Sequence, residues 1–288
     1  MMECRYYQQL SDGRVECLLC PHHCKMANGK SGICRSRRNE DGMLVSEVYG
    51  KPCSLAIDPI EKKPLYHFHP GTKCLSIACT GCNFRCLNCQ NHEISQVSPS
   101  DVDHYDLSPR QVVDLCLEHH CPGIAYTYTE PLTYLEYIVD TARLAHEAGL
   151  WNILVTAGYV YQEPLKDLLP YLDAANIDLK SFSDVIYQKV SGGHLQPVLD
   201  TILAMQKAGV WVELTNLIIP SINDDMEMIR QMCRWIVKNG LADNPLHFSR
   251  FFPRYKMQDV PPTPVSTLQE AKRIAEEEGI KYVYLGNI

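Results

Sequence analysis

From about residue 74 to the C-terminus, strand-length apolar runs alternate with amphipathic helical segments, and few folds accommodate that rhythm. Strands are expected at 74–81, 123–131, 151–158, 174–181, 210–220, 245–253 and 281–288. Helical periods fall between them, as at 133–148, 225–239 and 266–278. Ser108 before Pro109 forms a good N-cap and first-turn pair. Asp224 and Glu227 have capping-box spacing. Gly149, Gly209 and Gly279 stand where a helix end wants a left-handed residue. Alternating strand and helix means a parallel sheet with right-handed crossovers. Six or seven units point to a barrel or an incompletely closed one, with a flat doubly wound sheet as competitor. The segment NIDLKS favours the barrel. Asn176, Asp178 and Lys180 share one face and Ile177 and Leu179 the other. A strand between two helix layers is apolar on both faces. Polar residues on one face imply a wet interior near the strand's C-terminal end, where barrel active sites lie. The expected fold is α/β, a partial (β/α)6-type parallel barrel.

Residues 1–65 read differently. They are rich in Gly, Cys and charge, with turn signals (DGR, NGK, EDG) in place of long helical periods. They are expected to form a small irregular metal-binding region with one hairpin, ahead of a barrel over 66–288. Residues 58–71, with three prolines, read as an extended linker. The chain has 288 residues, 45% hydrophobic and 21% charged, which suits a packed core. A net charge of −7 without a basic stripe argues against nucleic acid as main partner. No apolar run reaches the length of a membrane span. The N-terminal stretch MMECRYYQQLSDGR lacks the layout of a secretory signal, so a cytoplasmic location is expected.

In that setting fourteen cysteines, strongly clustered, point to metal before disulfides. Cys82, Cys86 and Cys89 follow the first barrel strand as CxxxCxxC. Three thiols fall one short of a closed site. His92 could complete a zinc site. Alternatively the loop holds a cubane iron–sulfur cluster with one iron open to a substrate pocket. The N-terminal set, Cys17, Cys20, Cys24 and Cys34, is complete for zinc or for an iron–sulfur cluster, with His22 and His23 as alternative ligands.

CxxxCxxC after the first strand of a βα barrel resembles the signature of radical S-adenosylmethionine (SAM) enzymes. The resemblance implies that Cys82, Cys86 and Cys89 ligate a [4Fe–4S] cluster whose fourth iron is chelated by SAM. One electron then splits the sulfonium bond, and the 5′-deoxyadenosyl radical takes a hydrogen atom from the substrate. YTYTEP resembles the family's Gly-Gly-Glu-Pro segment, with Tyr128 and Thr129 in place of the glycines. By that likeness Glu130 and the Thr129 backbone receive the cofactor's ammonium. IDLKS resembles the Asp-x-Lys of glycyl-radical-enzyme activases, which implies Asp178 on ribose or amine and Lys180 on the carboxylate. Two positions depart from the pattern. Asn88 replaces a common aromatic at the adenine, and Thr215 replaces an activase-like arginine, with Asn216 as partial substitute. Across nearly its whole length, through CLLCPHHC, IDPIEKKPLYHFHPG, GCNFRCLNCQNHEIS, FSRFFPRYKM, PPTPVSTL and YVYLGNI, the chain resembles the radical enzyme of the AmmeMemoRadiSam system, a relative of pyruvate-formate-lyase activating enzyme. That family usually continues with a further cysteine pair, whereas this sequence stops at Ile288. Either a tail is missing or this member lacks it; if that tail supplies metal ligands in relatives, the N-terminal set must close without it.

The resemblance implies an electron donor such as flavodoxin or ferredoxin, and pathway partner proteins. Substrate contacts are expected from His247 and Arg250 on the sixth strand and from Arg254 and Tyr255 beyond it. Two alternatives stand beside an enzyme acting on its own substrate: an activase placing a glycyl radical on a partner, and a non-catalytic iron–sulfur or zinc module.

Overall fold

The computed structural model describes residues 2–288. Six short strands build the N-terminal region: β1 (Met2–Glu3), β2 (Tyr7–Gln9), β3 (Val15–Cys17), β4 (Lys25–Met26), β5 (Arg37–Glu40) and β6 (Met43–Ser46). They form two three-stranded antiparallel sheets, ordered β2-β3-β4 and β1-β6-β5, where one hairpin was expected. The β5–β6 loop is Asp41-Gly42 with φ of 50° and 85°. Both central residues of a type I′ turn need positive φ, and Asp-Gly supplies that cheaply.

The large sheet has eight strands: β7 (Pro52–Pro59), β8 (Lys73–Cys79), β9 (Gly123–Tyr126), β10 (Trp151–Thr156), β11 (Ala174–Asp178), β12 (Trp211–Ile218), β13 (Leu246–Arg250) and β14 (Val283–Gly286). They lie side by side in chain order, and β7 and β14 are the two edges. β8 to β14 are parallel, and β7 pairs antiparallel with β8. The seven parallel strands thus make an open, partial barrel. A single register row runs Asp178–Thr215–His247–Tyr284 across β11 to β14.

Amphipathic helices at Pro109–Glu118, Leu135–Glu147, Leu195–Lys207, Met226–Lys238 and Val265–Glu277 connect the strands. Ser108 caps the first of them in a capping box with Gln111. Asp225, and not Asp224, caps Met226–Lys238, accepting from Met228 N at 2.9 Å. Gly149, Gly209 and Gly279 take φ of 75°, 84° and 101° just past helix ends. The β10–β11 connection has no long helix, only short turns at Gln162–Leu165 and Leu169–Tyr171.

The segment 58–71 is not an extended linker. Its first residues end β7, and Ile60–Lys62 form a 3-10 turn. Ile60 and Leu65 are fully buried and pack with Cys74, Ala125, Ile153 and Ala174 at the N-terminal ends of the strands. Each such side chain contributes about 1.5–3 kcal/mol by burial. Asn176 Nδ2 donates to Pro64 O at 2.8 Å. The amides of Tyr66 and His67 donate to Glu213 at 2.9 and 2.8 Å. This segment therefore floors the barrel, and the large sheet begins at residue 52, ahead of the expected boundary at 66.

Strands stop sooner at their C-terminal ends than their apolar composition predicts. β9 ends at Tyr126, β11 at Asp178 and β13 at Arg250. Tyr128 then takes a φ of 67°, which no strand tolerates. The chain leaves the sheet there and carries its polar residues over the barrel mouth.

Candidate active site

A cavity of about 650 Å³ opens at the C-terminal ends of the strands and reaches down to the floor segment. Cys82, Cys86 and Cys89 all line it. Their loop is fixed from below by backbone bonds to a π-helical turn, Tyr187–Ser191: Arg85 N donates to Ser191 O at 2.8 Å and Leu87 N to Val190 O at 3.0 Å. Gly193, just past that turn, must be glycine, since a Cβ there would come within 2.4 Å of the Phe84 ring. Cys82 Sγ accepts from Phe84 N at 3.3 Å, and Cys89 Sγ lies 3.2 Å from Ser95 Oγ. His92 does not line the cavity. Its ring stacks on Tyr255 at 4.4 Å. The cysteine loop thus brings three thiols to the cavity and no fourth thiol or imidazole.

Glu130 is 1% exposed and faces the same cavity. Its carboxylate accepts from Thr156 Oγ1 at 2.6 Å, Ala157 N at 2.8 Å and Leu132 N at 3.1 Å. Burial raises its pKa above the ordinary value, and those three donors work against the rise. It also caps the short helical turn Pro131–Tyr134. Across the cavity Lys180 Nζ donates to Asp178 Oδ2 at 2.8 Å. Burial pulls the Lys180 ammonium down, but Asp178 and Cys86 outweigh it and hold the group charged. Tyr187 Oη accepts from the Lys180 amide at 3.0 Å, which fixes the chain where it leaves β11. Thr129, Asn88 and Thr215 also line the cavity. Thr215 Oγ1 donates to Asn176 Oδ1 at 2.9 Å.

Residues 76–236 match the model of the radical SAM superfamily. The chain belongs to the radical SAM superfamily. Over its full length it is 48% identical to an uncharacterized protein of Methanocaldococcus jannaschii, covering 86% of that protein. It is also similar to the pyruvate formate-lyase 1-activating enzyme of Escherichia coli K12, at 24% identity over 71% of this chain and 89% of the other. Among solved structures, a radical SAM methyltransferase from Sphaerobacter thermophilus shares the fold with a TM-score of 0.58, covering 100% of this chain and 77% of that one at 13% identity.

Radical SAM proteins work with a [4Fe–4S] cluster and SAM, and the donor chemistry here fits both. Three thiols stand on one loop, and a buried carboxylate, Glu130, and the Asp178–Lys180 pair line the same cavity. Several sequence expectations fall outside this constellation. Asn216 neighbours Thr215 on β12, so it faces the opposite side of the sheet and donates to Leu179 O at 2.7 Å. Arg250, Arg254 and Tyr255 do not line the cavity. Arg250 Nε donates to Thr263 O at 2.8 Å, and its guanidinium lies over Phe252. His247 does line it, with Nε2 2.7 Å from Glu213 Oε2.

Three groups around the radical SAM cavity were not anticipated. Asn91 Nδ2 donates to Tyr128 O at 2.6 Å, tying the cysteine loop to the strained residue. Asp58 accepts from Lys63 Nζ at 2.7 Å and from the Tyr128 hydroxyl. Burial works to raise Asp58, but Lys62, Lys63 and Tyr128 together hold it well below the carboxylate range. Glu213, fully buried, takes four donors or partners: Tyr66 N, His67 N, Trp211 Nε1 and His247. A signal existed for Glu213, a lone acid inside the apolar run VWVELTN. None existed for Asp58 and Lys63, because their segment carries no periodicity.

The N-terminal cysteines also come together. Cys17, Cys20, Cys24 and Cys34 line one small cavity beside the barrel. Among the described residues no three His, Cys, Asp or Glu side chains converge tightly enough for a single metal ion.

Proposed function

We propose that this chain is a radical SAM enzyme that cleaves S-adenosylmethionine reductively and removes a hydrogen atom from a substrate held in the same cavity. One observation carries the reading: Cys82, Cys86, Cys89, Glu130, Asp178 and Lys180 all line a single cavity of about 650 Å³. That volume is ordinary for a small-molecule site, for which about 300–1,000 Å³ is usual. Cys82, Cys86 and Cys89 would hold the cluster, which when bound supplies the electron that splits the sulfonium carbon–sulfur bond. The chain's own residues bind and orient. Glu130, with the Thr129 backbone, would receive the ammonium of SAM, Lys180 its carboxylate and Asp178 its ribose or amine. Asn88 and Thr215 would wall the nucleotide. The floor segment shuts the opposite end of the barrel, which keeps water from a reactive intermediate. His247, held by Glu213 and in register with Thr215, would meet the substrate.

The electron is proposed to come from a flavodoxin- or ferredoxin-type donor. The motif set spanning the chain supports placement with the AmmeMemoRadiSam radical enzymes. Similarity to pyruvate formate-lyase activating enzymes supports a second reading, in which the hydrogen atom comes from a glycine of a partner protein.

The test is anaerobic. The chain is loaded with iron and sulfide, reduced with dithionite and given SAM. Formation of 5′-deoxyadenosine, lost in Cys86→Ala, is the expected result. No 5′-deoxyadenosine above background, or equal amounts from Cys86→Ala, would overturn both enzyme readings. A glycyl doublet in the EPR spectrum of a candidate partner would select the second.

A further inference from the structure

Beside the barrel mouth lies a second, smaller cavity of about 10 Å³, lined by Cys17, Cys20, Cys24 and Cys34. Three of these thiols are at most 9% exposed. His23 has Nε2 2.6 Å from Tyr161 Oη and Nδ1 3.4 Å from Glu16, whereas His22 Nε2 lies 2.7 Å from Asn83 O, which leaves only the His22 Nδ1 to compete with the four thiols as a donor. Cys24 Sγ accepts the Ile33 amide at 3.4 Å, an interaction that stabilises a thiolate.

A buried donor marks the cavity as a ligand site. Arg37 is 1% exposed and lines it. Its Nε donates to Thr133 O and its Nη2 to Glu136, but Nη1 has no partner among the described residues. An orphaned buried donor costs about 1–3 kcal/mol, more for a charged group. Arg37 is charge-paired with Glu136, and its free Nη1 remains a buried donor suited to thiolate or sulfide sulfur.

Four thiolates suit zinc or an iron–sulfur cluster alike by charge and softness. The nearness of the other cysteine loop is what favours the cluster.

The two cysteine loops also touch. Asn83 lies between Cys82 and Cys86, and its carbonyl is the partner of His22, between Cys20 and Cys24. Gly81, with φ of 109°, abuts the carbonyl of Cys34, where a Cβ would come within 2.3 Å.

We propose that Cys17, Cys20, Cys24 and Cys34 bind a second iron–sulfur cluster, in electronic contact with the one on Cys82, Cys86 and Cys89. One electron from an external one-electron donor, of the flavodoxin or ferredoxin class, reduces the second cluster. That cluster is reoxidised as it reduces the first, and no bond is made or broken. The contact depends on the enzyme reading above; the cluster does not.

The full chain carrying Cys82→Ala, Cys86→Ala and Cys89→Ala isolates the second site. After anaerobic loading with ferrous iron and sulfide it is expected to hold about four iron and four sulfide per chain, with an EPR signal on dithionite reduction. Iron at background in that variant, or one zinc per chain in its place, would overturn the cluster. Cys17→Ala with Cys20→Ala is expected to halve the iron of the full chain and leave the first signal. Should that variant fail to fold, the triple variant still decides. In the reduced full chain the spectrum should broaden beyond the sum of the two single-site spectra. A plain sum would overturn the contact.

Discussion

Gly81 illustrates how tightly single residues are constrained here. It combines a φ of 109° with a backbone carbonyl where a side chain would go. Gly81→Ala should destabilise the chain by more than about 1 kcal/mol and lower iron uptake, read by thermal unfolding and iron assay. Unchanged iron content would show that the two cysteine loops need not touch. Lys180 tests the cofactor side. Loss of a charge-assisted bond costs about 1.5–3 kcal/mol, so Lys180→Ala should weaken SAM binding at least about tenfold, measured by equilibrium titration of the loaded chain. Affinity equal to that of the parent would remove Lys180 from the site. At this scale the gathering of the cysteine loop, Glu130 and the Asp178–Lys180 pair at one cavity was legible, because local motifs put polar groups at fixed offsets from strand ends. Thr215 and Asn216 show the limit. Strand alternation lets only one of two neighbours face inward, and no local signal said which. Arg250 and Arg254 do not line the cavity, and nothing in the sequence reveals that Thr263 O captures Arg250.

Among the elements, the floor segment 60–71 and β7 carry the least expected role. Asp58, at the end of β7, is the acceptor for Lys63, which is fully buried. Removing one partner of a buried pair costs about 3–5 kcal/mol, so Asp58→Asn should be strongly destabilising at neutral pH. The sign with pH follows from Asp58 being held below its unfolded value of about 3.9. Its contribution is fully present above that value and is lost as pH falls through the folded pKa. The stability gap between parent and Asp58→Asn should therefore be constant from about pH 5 to 7 and shrink below about pH 4. A gap unchanged at pH 3 would contradict the ionised pair. Strands β8 to β14 and the helices Leu135–Glu147, Met226–Lys238 and Val265–Glu277 were readable from periodicity and caps. The floor was not. Three prolines and no repeat look like a linker, and only tertiary packing of Ile60 and Leu65 reveals otherwise.

For the whole molecule, the partial barrel gathers cysteines from the β8 loop, Glu130 beyond β9 and the Asp178–Lys180 pair at β11 around one space. The N-terminal sheets set four more cysteines against the same loop. No helix among the described residues is long and apolar enough to cross a membrane. The proposed chemistry requires the cysteine loop to offer three thiols to a cubane and leave its last iron to SAM. The most direct measurement is electron–nuclear double resonance on the reduced, loaded chain with SAM labelled by ¹⁵N at its amino group. Hyperfine coupling of that label to the cluster is the predicted result. Coupling from a histidine nitrogen, with none from the label, would contradict it.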